Sequence, residues 1–398
     1  KRDMNICMAG LDHSLAPIAL RERMSFTSAG VVELNQKIAK SPDCSGVVLL
    51  STCNRTELYL SLPDGQSADP GAWLCETAGV SGAEFTDAFV IRRGTDCARH
   101  LMEVACGLCS QILGEDQILT QVKTAVSLAR QAGSADGVLE TLFRTAAACG
   151  KTARSGGRIS GVPTSVAHRA VEVLREQMGE LAGKSALVIG NGEMGRLSAS
   201  LLREAGCQVT VTLRSYHHGQ TVVPAGCEVV PYEARYEAME GMDLLLSATT
   251  SPHYTVNLAA FAALARPPRM LVDLAIPRDI QPELAQQAGV TLLNVDHLRR
   301  QDVVDANAMK RVQAAVEEYL ERFLQWNTYR ESLPAQEELK QALRQRMRAY
   351  LEAGMDAEEA MELTVEKTVE LIAGGLNDTL PAHAIRECAA RIRQHTRA

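Results

Sequence analysis

The run Ala186-Leu187-Val188-Ile189, followed at once by Gly190-Asn191-Gly192-Glu193-Met194-Gly195, restricts the fold of this chain more than any other stretch. Four apolar residues read as a buried strand, and the amphipathic sequence that runs on to Glu204 reads as a helix. Strand, G-x-G-x-x-G and helix in that order make a dinucleotide-binding turn. The glycines allow a tight turn and close backbone approach, and the pyrophosphate meets the helix N-terminus. Gly190, Gly192, Glu193, Met194 and Gly195 are therefore the expected cofactor-binding residues. The next strand, residues 208–213, ends in Arg214-Ser215, where an acidic residue would bond the ribose 2′-hydroxyl of NAD. An arginine and a hydroxyl suit a 2′-phosphate, so Arg214 and Ser215 point to NADPH. Further strands are expected at 243–248, 270–274 and 290–294. Thr249-Thr250-Ser251 lies where a loop approaches the cofactor, with Thr249 its first contact, and residues 273–279 close a strand with a proline-fixed turn.

At 398 residues the chain exceeds one ordinary core. Three segments are expected: 1–160 as an α+β domain, 161–295 as the Rossmann domain, and 296–398 as an all-α unit. Glycines at 156, 157 and 161 with Pro163 mark the first boundary. The last segment opens with Val303, Ala306, Met309, Val312, Val316, Leu320 and Phe323 at helical spacing, in one long helix expected to stop near Pro334. A later helix is capped by Asp356 with Glu359. Such a thin helical layer buries its apolar stripes best against a second copy of itself, which points to dimerisation. Eleven cysteines without a disulfide framework point to a reducing compartment, hence the cytoplasm. No apolar run is long enough to cross a bilayer, and residues 1–10 lead straight into a strand pattern, so neither a membrane span nor a signal peptide is expected. The net charge of −7 excludes a generally basic nucleic-acid binder but leaves room for local basic patches.

In the first segment, strands are expected at 5–10, 47–52, 57–62 and 89–93, with helices at 31–39 and 73–78, and a helical tail from 96 to 153. Ser51-Thr52-Cys53-Asn54-Arg55-Thr56-Glu57 follows the apolar run Val47-Val48-Leu49-Leu50, which places Cys53 at a strand end. A thiol at such a corner with Arg55 two residues on reads as a nucleophile beside an anion-binding group, its thiolate favoured by the cation.

Several separate motifs then resemble the glutamyl-tRNA reductase family over nearly the whole chain. They are Gly10-Leu11-Asp12-His13 with Ala16-Pro17 and Arg21-Glu22; the Cys53 segment; His100-Leu101; Gly114-Glu115-Asp116-Gln117-Ile118 with Gln121-Val122-Lys123; the Gly190–Gly195 turn; and Asp273 to Ile280. The resemblance implies a ferredoxin-like catalytic domain, an NADPH domain, and a helical dimerisation domain on a long spinal helix, in a V-shaped homodimer. It implies that Cys53 attacks the ester of glutamyl-tRNA(Glu), that NADPH reduces the resulting thioester, and that glutamate 1-semialdehyde opens tetrapyrrole synthesis. Arg55 matches the residue that holds the substrate carboxylate, His100 one that assists proton transfer near the thiol, and Thr52, Ser110, Glu115 and Gln117 match substrate-contacting positions. A downstream glutamate-1-semialdehyde aminomutase is a further expected partner.

The chain departs from the family pattern in places. Cys106-Gly107-Leu108-Cys109-Ser110 replaces Ser-Gly-Leu-Asp-Ser, Leu213-Arg214-Ser215 replaces Asn-Arg-Thr, and Asp12 replaces Asn. The new C-x-x-C invites a metal reading with Cys97 and His100. On one continuous helix, however, the latter two lie within about 60° of each other while Cys106 and Cys109 fall on the far side. No metal site is therefore expected unless the helix breaks at Gly107. For the tRNA, residues 141–170 carry Arg144, Lys151, Arg154, Arg158 and Arg169 and no acid, which makes them the candidate phosphate-contacting surface. Two rival readings remain: a tRNA-independent NADPH reductase of a small activated acyl substrate, and a non-catalytic regulatory paralogue.

Overall fold

The structure, a computed structural model, describes residues 4–85, 88–115, 117–155, 165–214, 222–298, 305–375 and 382–395. It divides into two compact units, Lys1–Leu324 and Gln325–Ala398.

The first unit holds two sheets. Strands β1 (Ile6–Asp12), β2 (Gly46–Ser51), β3 (Arg55–Ser61) and β4 (Val90–Arg93) form an antiparallel sheet in the order β2-β3-β1-β4. Helices Ser28–Ile38 and Pro70–Ala78 follow β1 and β3, which gives the ferredoxin-like β-α-β-β-α-β succession. β3 is buried along its whole length, so both of its faces must be satisfied. Successive side chains alternate between faces. Leu58 and Leu60 enter an apolar core with Leu11, Leu34, Leu49, Leu74 and Phe85. Arg55, Glu57 and Tyr59 turn the other way, where Glu57 meets His100 of the helix Gly94–Ala105 and Tyr59 packs edge-on against Phe143 of the helix Gly137–Ser155.

The helical tail resolves into three helices, Gly94–Ala105, Gln117–Ala132 and Gly137–Ser155. The first ends because Gly107 takes a left-handed conformation (φ 78°), and its carbonyl then accepts the amide of Gly114 at 3.0 Å. A Cβ at Gly107 would stand 2.8 Å from the Gly114 Cα, so this turn needs glycine on both counts. The continuous helix assumed for the C-x-x-C does not exist.

The second sheet is parallel: β5 (Ser185–Ile189), β6 (Gln208–Leu213), β7 (Glu228–Pro231), β8 (Leu244–Ser247), β9 (Met270–Asp273) and β10 (Thr291–Asn294), in the order β10-β9-β8-β5-β6-β7. This is the Rossmann strand order, with its switch point between β5 and β8. Ala186 and Val188 face one core with the helices Val166–Met178 and Glu193–Glu204. Leu187 and Ile189 face a second with Met239 and Phe261. β7 escaped the sequence reading because it is a four-residue edge strand with mostly exposed side chains and no apolar run. The linker glycines at 156, 157 and 161 lie outside the described residues.

The helix Ala306–Glu352 does not stop at Pro334 but carries it inside. The residues around Pro334 are largely exposed, so water can satisfy the carbonyl that a proline leaves without its amide partner. In the second unit the helices Ala357–Gly375 and Ala382–His395 follow, and Asp356 Oδ1 caps the former by accepting from the amides of Glu358 (2.9 Å) and Glu359 (3.0 Å).

The glycine turn after β5 is built from backbone on backbone. Gly190 has φ 108°, and a Cβ on Gly195 would stand 2.0 Å from the Gly190 carbonyl oxygen. Gly195→Ala is expected to lower the unfolding free energy by about 1–3 kcal/mol. Urea denaturation reads this directly, and an unchanged midpoint would show that the turn relaxes freely.

Candidate active site

β2 and β3 are joined by Thr52-Cys53-Asn54, with Ser51 paired to Thr56 below them. The Thr52 amide donates to the Arg55 carbonyl at 2.8 Å, and Thr52 Oγ1 accepts from the amides of Asn54 (3.2 Å) and Arg55 (3.1 Å). A threonine hydroxyl in this position substitutes for a backbone acceptor and fixes the turn. Buried Arg21 holds it from below: Nη1 donates to the Cys53 carbonyl at 3.0 Å, Nε to the Ala16 carbonyl at 3.1 Å, and Nη2 pairs with Asp296. The sequence reading noted Arg21 in a motif but gave it no task; its signal was an arginine beside an apolar helix face.

Cys53 borders a cavity of about 330 Å³. Ser51, Thr52, Gln117 and Gln121 line it on the side of the first sheet. Gly192, Glu193, Met194, Thr249 and Ala275 line it on the side of the second. The thiol at a hairpin tip and the dinucleotide turn at the switch point thus face one space. Several polar contacts hold the two sheets to each other there, among them a bond from Gln111 Nε2 to the Val295 carbonyl. Arg278 donates from its amide, Nε and Nη2 to the Glu22 carboxylate at 2.6–2.7 Å, Ser25 Oγ donates to the Ile276 carbonyl at 3.3 Å, and Arg21 reaches Asp296. Asp279, closing the expected proline turn, accepts from Ser247 Oγ (2.7 Å) and the Thr249 amide (2.8 Å), so the two loops singled out after β8 and β9 form one piece.

The cofactor side fits a dinucleotide. A Cβ at Gly192 would meet no atom within 4 Å among the described residues, so the turn is bare on its outer side, at the N-terminus of the helix Glu193–Glu204. Exposed Arg214 lies with its guanidinium 4.5 Å from the Tyr232 ring centroid at the end of β6. Gly190 and Gly195 shape the turn from behind and do not line the cavity. Ser215 lies outside the described residues.

The electrostatics correct one expectation. Arg55 and Arg21 lower the Cys53 thiol as expected, but burial pushes it up to about 12 and the carboxylate of Glu115 adds to this, so the cations offset only part. Arg55 itself does not line the cavity. Its guanidinium is buried, with Nη1 on Glu57 Oε1 at 2.7 Å and Nη2 on the Cys109 carbonyl. His100 is likewise behind the wall, with Nε2 2.9 Å from Glu57 Oε1. Burial alone would lower the imidazole, but Glu57 and Cys109 outweigh it and raise it to about 9. Burial alone would raise Glu57, yet His100, Arg55 and the Tyr59 hydroxyl hold it far below the usual carboxylate range. Ser110 sits on the loop after Gly107, outside the cavity wall. Glu115 is buried and acts on Cys53 through its charge. The sequence reading also passed over Asn54, whose buried side-chain amide has no hydrogen-bond partner among the described residues.

The proposed phosphate-contacting face shrinks. Arg154 is a strut, donating to the carbonyls of Ala105 (3.0 Å), Gly150 (2.9 Å) and Glu115 (2.9 Å), and Arg169 is paired with Glu172 and Glu176. Arg144 and Lys151 are exposed, and Arg158 lies outside the described residues. The acids that hold Arg169 stand three and seven residues on in the same helix, just past the acid-free stretch, whereas the carbonyls that hold Arg154 are brought to it only by the fold.

A Rossmann sheet whose glycine turn faces a cysteine across a shared cavity defines an oxidoreductase that uses a nicotinamide dinucleotide. Comparison with known proteins narrows this. The family model for the glutamyl-tRNAGlu reductase N-terminal domain matches residues 9–156, and that for shikimate/quinate 5-dehydrogenase matches residues 172–301. The glutamyl-tRNA reductase of Acetivibrio thermocellus is 41% identical over 333 residues, 83% of this chain and 99% of the relative. That of Alkaliphilus oremlandii is 38% identical over 332 residues, with the same shares. Among solved structures, glutamyl-tRNA reductase from Methanopyrus kandleri aligns over 98% of each chain at 28% identity with a TM-score of 0.47. The chain belongs to the glutamyl-tRNA reductase family.

The His100–Glu57 pair makes stability depend on pH. His100 is raised from 6.5 to about 9, so its contribution is complete below 6.5 and is lost as the pH rises through 9. Glu57 is depressed, so its contribution is present above 4.5 and is lost on acidification. Wild-type unfolding free energy is expected to fall by up to about 3 kcal/mol between pH 6.5 and 9 from this source. His100→Asn should start lower and stay flatter across that window. Parallel slopes in the two proteins would remove His100 as the cause.

Proposed function

We propose that this chain reduces the glutamyl ester of tRNA(Glu) to glutamate 1-semialdehyde with NADPH, through a thioester on Cys53. The observation that carries the reading is the single cavity shared by the Cys53 thiol and the Gly192–Met194 turn. Sγ attacks the ester carbonyl, the bond to the tRNA 3′ oxygen breaks, and that oxygen leaves with the proton given up by the thiol. A bound dihydronicotinamide supplies the hydride. The hemithioacetal then held on Cys53 breaks its C–S bond, which frees the aldehyde and returns the thiol after protonation. A thiol held protonated until substrate arrives is protected from oxidation and adventitious acylation. Arg55 serves this site from behind, fixing the hairpin through Glu57 and the Cys109 carbonyl.

The preference for NADPH rests on Arg214, exposed at the end of β6 and braced on Tyr232. A homodimer is supported by Met361, Val365 and Val369, exposed at four-residue spacing on the helix Ala357–Gly375. Cytoplasmic residence is supported by eleven free cysteines, and no helix among the described residues is long and apolar enough to cross a membrane. Transfer of the reactive aldehyde to a downstream aminomutase follows from the same reading.

Two outcomes test this. Semialdehyde should form from charged glutamyl-tRNA and NADPH, and Cys53→Ser should leave no acyl-enzyme in nucleotide-free protein. Equal aldehyde from free activated glutamate would favour the tRNA-independent reductase instead. Separately, Arg214→Ala should weaken NADPH binding about tenfold, or ~1.4 kcal/mol, and NADH little; equal losses for the two nucleotides would refute the 2′-phosphate assignment.

A further inference from the structure

His100, Glu103 and Cys109 converge on one point beside, but outside, the Cys53 cavity: one ligand atom from each lies within 4.8 Å of the others. Two features of the chain produce this. His100 and Glu103 are three residues apart on the helix Gly94–Ala105 and so share a face. The left-handed turn at Gly107 then folds the chain back, returning Cys109 to the face that a continuous helix would have denied it. The C-x-x-C is split by the same turn: Cys106 meets Cys149 of the helix Gly137–Ser155, Sγ to Sγ at 3.5 Å, and Cys97 is buried elsewhere in the core.

From this cluster we propose that His100, Glu103 and Cys109 form a binding site for a divalent ion of the zinc class. The donor set is one imidazole, one carboxylate and one thiolate, a mixture that selects zinc-like ions over magnesium or calcium. His100 is held in place for the task and gives up its Nδ1 proton, as Cys109 gives up its thiol proton, when the ion binds. Its Nε2 is engaged by Glu57 at 2.9 Å, and Glu57 is itself clamped by Arg55 and Tyr59, which leaves Nδ1 as the coordinating nitrogen. A buried carboxylate on the far nitrogen is the usual orienting partner of a metal-bound histidine. The thiolate and the Glu103 carboxylate balance the two positive charges, while Arg55 is already neutralised by Glu57. Glu103 and Cys109 are partly exposed, so the ion has an entry side and the fourth position falls to water. An ion there ties the helix Gly94–Ala105 to the loop that carries Ser110 and Glu115, the loop nearest in sequence to the catalytic wall.

The proposal is independent of the reaction assigned to Cys53, and so is its test. The full-length chain, stripped with chelator and kept reduced with a phosphine, is titrated with Co²⁺ as an optical probe and then with Zn²⁺ in competition. One equivalent of Co²⁺ should bind with a thiolate-to-cobalt charge-transfer band, and Zn²⁺ should displace it. Cys109→Ser should abolish the band, Glu103→Gln should weaken binding by about 10–100-fold, and Cys53→Ser should leave band and affinity unchanged. A band that survives in Cys109→Ser, or one that disappears in Cys53→Ser, would place the ion on other thiols and overturn the assignment. So would the absence of stoichiometric binding to the wild-type chain.

Discussion

The first sheet depends on charges buried in its interior. Arg55, Glu57 and His100 lie on one face of β3 and the helix above it, each nearly sealed from water. Removing such groups from water costs several kcal/mol apiece, and only close pairing returns it. The pairing here is complete: Glu57 accepts from Arg55, His100 and Tyr59, and Arg55 also reaches the Cys109 carbonyl. Breaking one partner of such a set typically costs about 3–5 kcal/mol, because the others are left charged and unpaired. The network anchors Arg55, the first residue of β3, directly beside the hairpin tip that bears Cys53.

The loop after Gly107 is held at two points. Its backbone accepts from Arg55, and its end, at Glu115, is held by Arg154 through the Glu115 carbonyl. Cys53 is thus fixed from three directions, by Thr52 in its own turn, by Arg21 below, and by the Arg55 network behind. The cofactor side is fixed with comparable economy. Asp279 joins the loops after β8 and β9, and Glu22–Arg278 fastens that joined piece to the helix Ile18–Arg23. A cavity between two sheets is useful for hydride transfer only if both walls keep their spacing, since a displacement of about 1 Å can cost on the order of 100-fold in rate.

Much of this was legible in the sequence, and some of it was not. The glycine turn, the strands around it and the cysteine at a strand end follow from local pattern, because turns and apolar runs are local devices. β7 and the course of the helix through Pro334 were not legible: an exposed edge strand carries no apolar signal, and a proline is tolerated where water replaces its missing partner. Arg55 lowers the Cys53 thiol, as its place in the sequence implies, but burial and Glu115 outweigh it, and sequence order shows neither of these. The basic stretch 141–170 lost Arg154 to carbonyls of Ala105 and Glu115 that sequence order does not place, and Arg169 to Glu172 and Glu176, which follow it on the same helix.

The amino-acid sequence alone determined that a dinucleotide turn and a cysteine at a strand end occur in one chain, because both are written in stretches of fewer than about ten residues whose conformation is set by their own backbone. Only the tertiary structure decided that they face one cavity, that Arg55 and His100 stand behind its wall, and that Cys109 returns to His100. Those outcomes turn on which charges are desolvated together and on a single left-handed glycine, and both depend on neighbours far away along the chain.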